Sequence, residues 1–276
     1  MRLALLVTLA ILAFAGNSLL TRAGLAAGLI GAASFAAIRL AAGAGLLAAL
    51  AAWRGGRVRP ARGDAKGIAA LAVYMLGFTF AYVELPAATG ALILFASVQL
   101  TIVAAALLAG QKPTPLEALG GVLALCGLAW LLFDDLRTPQ AVPALLMVLA
   151  GAAWGVYTLV GRGATDALAM TARNFIGAAP VGIAAWWLSP TGPVEPAGVM
   201  FALLSGAVTS GLGYAIWYAA LPRLSRMTAG VAMLLVPPVT AAVAAVSLGE
   251  PITARLVVSS MLVLGGVLLT IVGRRA

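Results

Sequence analysis

Apolar runs of about twenty residues recur ten times along the chain, each closed by a short stretch carrying charge, proline or glycine. A bilayer core about 30 Å thick is crossed by about 20 helical residues. The runs therefore predict membrane-spanning helices over 3–21, 32–53, 67–83, 87–109, 118–133, 142–161, 168–188, 197–219, 227–248 and 256–273. They are apolar all round and lack the ten-residue alternating segments of a transmembrane barrel. The first run follows Arg2 in the manner of a signal peptide but continues to Leu20, so it reads as an uncleaved first span.

Charge orders these spans. Twelve of the 17 Lys and Arg fall on the side of the N-terminus. Arg22, Arg137 and Arg255 fall on the other side, and Arg39 and Arg173 lie within spans. Positive residues are retained on the cytoplasmic face, so both termini are expected there. Only 9% of the 276 residues are charged and 63% are hydrophobic. A soluble domain has about a quarter charged, so that class is excluded. The net charge of +9 belongs to cytoplasmic loops, and no nucleic-acid partner is expected. There is no histidine, which removes His-based metal sites, proton relays and Ser-His triads. No metal, cofactor or enzymatic activity is expected. The lone Cys126 allows no internal disulfide.

The two halves match. Gly110-Gln111-Lys112-Pro113-Thr114 corresponds to Gly249-Glu250-Pro251-Ile252-Thr253 at an offset of 139, which also pairs Gly16 with Gly155 and Gly127 with Gly266. An offset of 136 pairs Gly77, Tyr82, Leu85 and Pro86 with Gly213, Tyr218, Leu221 and Pro222, and one of 134 pairs Arg39 with Arg173. In one order along the chain, these pairings indicate duplication. Each unit, 1–137 and 138–276, holds five spans, so the second must enter the bilayer inverted. The expected fold is all-α, ten transmembrane helices as two inverted five-helix repeats around a central cavity. Inverted repeats are a design of secondary transporters, whose site lies near the midplane between the repeats.

Polar and aromatic residues at helical spacing mark candidates for that site. Span 3 carries Tyr74, Phe78 and Tyr82. Span 8 carries Ser210, Tyr214 and Tyr218 at the same three positions, with Trp217 beside them. Span 6 carries Trp154, Tyr157 and Thr158, and span 1 carries Asn17 and Ser18 beside Phe14 and Thr21. Gln99 in span 4 adds a further donor and acceptor. The same aromatics also suit plain packing or an interfacial belt. As cavity walls they would take an organic substrate with apolar area and an amine. Pro237 and Pro238, within span 9, are expected to form a substrate-adjacent hinge or kink, with plain bending the alternative. Arg39 and Arg173 occupy equivalent places and are expected to be structural charges, with binding of a substrate carboxylate the alternative. None of the eight Asp and Glu is expected mid-membrane. That favours a facilitator or exchanger over a proton antiporter.

These residues carry a resemblance. Gly249 to Thr253 resembles the Gly-Glu-x-x-Thr signature after the ninth helix of the drug/metabolite transporter superfamily in its EamA-type ten-helix form. Gly110 to Thr114 resembles its first copy, with Gln111 at the usual acid. Ala152-Ala153-Trp154-Gly155-Val156-Tyr157 resembles the Trp-Gly segment that opens a repeat, and Arg39 and Arg173 match the arginine of each repeat's second helix. Phe14-Ala15-Gly16-Asn17 lacks the usual Trp, and Gln99 stands where a proline is frequent. The chain is most similar to bacterial exporters of aromatic and other neutral amino acids. The resemblance implies a monomeric alternating-access transporter of the bacterial cytoplasmic (inner) membrane, with an amino acid-like small molecule and the lipid bilayer as its partners. Carriers of nucleotide sugars, phosphorylated metabolites or cationic drugs share the fold, and an intramembrane enzyme or a channel is the reading outside transport.

Overall fold

The computed structural model describes residues 2–55, 58–132, 141–161, 164, 166–189, 192–224, 229 and 232–273. Among them are ten helices of at least 12 residues: α1 (Arg2–Ala26), α2 (Ala32–Trp53), α3 (Ala65–Ala81), α4 (Ala87–Leu108), α5 (Pro115–Leu132), α6 (Ala141–Gly161), α7 (Ala167–Leu188), α8 (Pro196–Ala220), α9 (Val236–Ser247) and α10 (Ala254–Gly273). No strand occurs among the described residues. One isolated bridge, Ile30 to Val194, joins two loops. Seven helices are long and apolar enough to cross a bilayer, α5 and α9 being shorter apolar helices. The chain is an all-α, multi-pass membrane protein.

Two elements differ from the expected spans. The ninth was expected over 227–248 as one helix, but it is broken: among the described residues 229, 232 and 233 are helical, Leu234 and Leu235 form a turn, and α9 runs on from Val236. Pro237 and Pro238 stand in the first turn of α9, directly after this break. Proline is at home there, because a first-turn N–H has no partner to lose. The eighth is helical throughout, but Leu204–Leu212 has π-helical i→i+5 hydrogen bonding. Positions five apart, such as Ser205 and Ser210, are thereby brought to one face. Gly206 in this segment lies against α2 so closely that a Cβ would collide with the carbonyl of Arg39.

The helices pair in a regular way. α2 packs along α7, and α5 along α10. α1 lies against α8 and α9, as α6 lies against α3 and α4. Where α5 crosses α10, Gly127 meets Val263 and Gly266 meets Ala124, with Gly120 and Gly266 in mutual backbone contact.

The Gly-Glu-x-x-Thr stretch has a visible task. Gly249 ends α9 with a φ of 66°, which a glycine adopts without strain. Thr253 accepts from the Leu256 N–H at 3.1 Å and so caps α10. Glu250 reaches across to α4. Pro86, ahead of α4, has no side-chain acceptor, and the Glu250 carboxylate takes the Ala87 N–H at 2.7 Å. Glu250 also pairs with Arg22 at 3.3 Å, while Arg22 donates to the carbonyls of Tyr82 and Val83. One end of the bundle is thus tied across α1, α4 and the α9–α10 loop. At the other end Gly110, with φ 79°, and Thr114, in a reciprocal capping box with Glu117, serve the α4–α5 connection in the same way.

Candidate substrate cavity

α1 places Asn17 at the centre, and the π segment of α8 meets it with three hydroxyls. Asn17 Oδ1 accepts from Ser205 at 2.8 Å, Thr209 at 3.3 Å and Ser210 at 3.5 Å. Asn17 Nδ2 donates to the Tyr74 hydroxyl at 3.2 Å, joining α1 to α3. All five side chains are buried. A polar group without water needs such partners, since an unpaired one costs about 1–3 kcal/mol. Ordinary α-helical winding would place Ser205 and Ser210 well apart around the axis. The i→i+5 register is what lets both address one carbonyl oxygen.

Aromatic rings surround this hub. Trp154 of α6 lies between Tyr74 of α3 and Tyr214 of α8, with ring centroids 4.8 Å apart on each side. Tyr157 stacks beneath Trp154 at 5.3 Å, and Phe14 of α1 meets Tyr214 at 5.9 Å and Trp217 at 6.1 Å. Phe78 continues the chain of rings from Tyr74 to Tyr82. The rings leave a cavity of about 20 Å³, lined by Phe14, Asn17, Ser18, Tyr74, Phe78, Leu94, Phe95, Trp154, Tyr214 and Met233. That holds one water-sized sphere. A site for a small organic molecule takes about 300 Å³ or more, so a substrate would enter only as the helices part. The hydroxyls of Tyr157 and Tyr214 are buried without a hydrogen-bond partner.

Arg39 of α2 borders the same cluster. It is wholly buried. Its Nε and one terminal nitrogen lie 3.4 Å from Ser210 Oγ, and that terminal nitrogen donates to the Tyr74 hydroxyl at 3.2 Å. The guanidinium carbon stands 4.6 Å from the centre of the Phe78 ring and 5.6 Å from that of Tyr74. The other terminal nitrogen, Nη1, has no partner. Arg173 of α7 stands elsewhere, 2.9 Å from the Asp64 carboxylate just before α3.

The structure brings together Asn17, Ser18, Tyr74, Phe78, Trp154 and Tyr214 on the cavity wall. Ser210 and Tyr157 stand directly behind it, and Trp217 borders it through Phe14. Four expected residues lie apart. Tyr82 is near the Arg22–Glu250 end, donating to the Ala87 carbonyl. Tyr218 lies beside Gly161 of α6. Gln99 turns toward Thr270 of α10 at 3.5 Å, and Thr158 bonds back to the Trp154 carbonyl of its own helix. Pro237 and Pro238 are not among the lining residues, although Met233, just ahead of them, is. Leu94, Phe95, Met233, Ser205 and Thr209 are additions. Ser205 and Thr209 stand four apart in an otherwise apolar stretch, which is a legible stripe. Leu94, Phe95 and Met233 carry no signal distinguishing them from core.

Comparison with known proteins gives three findings. The pattern of the EamA-like transporter family matches residues 142–272. The chain is 48% identical over 275 residues to an uncharacterized protein of Pseudomonas aeruginosa, covering 99% of this chain and 96% of that one. It also shares the fold of a protein of known crystal structure, with a TM-score of 0.71 at 20% identity, over 100% of this chain and 99% of the other.

Proposed function

We propose a function from one premise: the chain belongs to the EamA-like transporter family, within the drug/metabolite transporter superfamily, and is a membrane transporter. The proposal is that it exports aromatic and other neutral amino acids, or similar small metabolites, across the bacterial inner membrane, with both termini cytoplasmic. It does so as a monomer and by alternating access, as a facilitator or exchanger.

The observation that carries this reading is the ring of Tyr74, Trp154 and Tyr214 around the polar hub of Asn17, where α1, α3, α4, α6 and α8 meet. Ring faces suit an apolar body, and the hub supplies donors and acceptors. Alternating access is supported by the helix neighbours. The exchange of α1 with α6, α2 with α7, α3 with α8 and α4 with α9 turns the pairs α6–α3, α6–α4 and α7–α3 into α1–α8, α1–α9 and α2–α8, all of which are in contact, in keeping with two inverted five-helix repeats, 1–137 and 138–276. The cavity wall holds no carboxylate among the described residues, in keeping with transport that is not driven by protons.

The test is counterflow in proteoliposomes with aromatic, aliphatic and charged amino acids, sugars and nucleotides. The expected result is saturable counterflow of phenylalanine or tryptophan that an imposed pH gradient leaves unchanged. Counterflow of nucleotides or sugars alone would overturn the substrate. Flux that follows a pH gradient without counterflow would overturn the mode.

A further inference from the structure

Arg39 carries a full charge into the centre of the membrane domain, and the described structure gives it no acid. Its ligands are two neutral oxygens, Tyr74 Oη and Ser210 Oγ, and the faces of Phe78 and Tyr74. Nη1 is buried without any partner. Removing an ion from water is costly when no opposite charge meets it, and ring faces offset part of that cost. Asp64, which neutralises the equivalent Arg173, lies at the end of the bundle and pairs there. The cavity is therefore an electropositive, aromatic-walled space whose positive group has donor capacity to spare.

Two side chains form the partition between Arg39 and the cavity. Phe78 and Tyr74 both contact the guanidinium and both line the cavity. For Nη1 to meet a ligand lying against Trp154, these two side chains would have to rotate. The guanidinium offers the planar pair of donors that a carboxylate accepts. An ammonium finds the opposite. No carboxylate lines the cavity among the described residues, and Asn17 Oδ1 is already engaged by three hydroxyls.

We propose that Arg39 is the carboxylate-binding residue of the cavity, so that the transported class is an apolar, ring-bearing monocarboxylate in which the ammonium group is dispensable. This rests on the transporter reading above and sharpens its substrate class: aryl carboxylic acids share the site with amino acids, and amines do not. It also moves Arg39 from the scaffold to the binding site, leaving Arg173 in the scaffold.

The experiment uses the full chain in proteoliposomes and measures inhibition of labelled phenylalanine counterflow by phenylalanine, 3-phenylpropionate, phenylalaninamide and phenethylamine. The expected result is comparable inhibition by the first two, while the two lacking a carboxylate need at least about tenfold higher concentration. Inhibition by phenylalaninamide as strong as by phenylalanine would overturn the proposal but leave the transporter reading standing. So would failure of 3-phenylpropionate to inhibit. Absence of counterflow for phenylalanine, with counterflow of another class, would overturn both the proposal and the amino acid reading. In Arg39→Gln the preference for phenylalanine over its amide should shrink to about twofold or less, with Arg39→Lys retaining part of it. Should the Gln variant not fold, the four-compound series on the unaltered chain decides the matter by itself.

Discussion

Arg39 and Arg173 hold the same place in the second helix of each half, yet their surroundings have diverged. Arg173, the seventh of the 22 residues of α7, is partly exposed, and its charge is met by Asp64 at 2.9 Å. Arg39, the eighth of the 22 residues of α2, is wholly buried and is met by two hydroxyls and two rings. A duplicated residue thus serves two ends. Where an acid is at hand, the arginine ties α7 to the α2–α3 connection. Where none is at hand, it is met by hydroxyls and ring faces alone among the described residues, the arrangement on which the proposed carboxylate site rests. The lesson is that equivalence in a repeat does not carry a role with it; the neighbours of the charge do.

Four variants probe this difference. Gly206→Val should have the largest effect. Its side chain would collide with the backbone of Arg39, where nothing flexible can give way, and the expected outcome is little or no folded protein, a loss above about 4 kcal/mol. Size-exclusion chromatography in detergent shows it. Arg39→Met comes next. It should lower phenylalanine counterflow at least about tenfold, while thermal unfolding stays within about 1 kcal/mol of the parent, because a buried charge without an acid is replaced by an apolar chain of similar length. A large loss of stability with normal transport would return Arg39 to the scaffold. Asp64→Ala strands Arg173 and should cost about 1–3 kcal/mol of stability, between the values for exposed and buried pairs, with transport per folded molecule unchanged. The combined Asp64→Asn and Arg173→Gln variant removes both charges. It should recover to within about 1 kcal/mol of the parent by the same unfolding measurement.

Most of the helices were legible because hydropathy reports burial in lipid directly, and runs of the right length leave little choice of architecture. The ninth was not. Leu234 and Leu235 are as apolar as the helical residues on either side, so only the Pro237-Pro238 pair marked the break. The π segment of α8 was invisible for a related reason. Its Ser, Gly and Thr residues fit an α-helical pattern equally well, and its close contact with α2 at Gly206 is a tertiary feature that spacing along one helix does not display. The cavity was legible as stripes on single helices. Asn17, Tyr74, Trp154 and Tyr214 converge because their helices turn those stripes inward. Thr158 shares a face with Trp154 but turns back to its own helix, and Gln99 faces α10. Spacing along one helix cannot tell which neighbour a face meets. Nor could it reveal that Arg39 would lack an acid, since Asp64 lies in a connection whose partner only the fold selects.

The most direct test of the central cavity is phenylalanine counterflow by Trp154→Ala, whose ring bridges Tyr74 and Tyr214, measured per folded molecule beside the parent. The account predicts saturable counterflow in the parent and at least about a tenfold reduction in the variant. Undiminished counterflow in the variant would show that the substrate passes elsewhere.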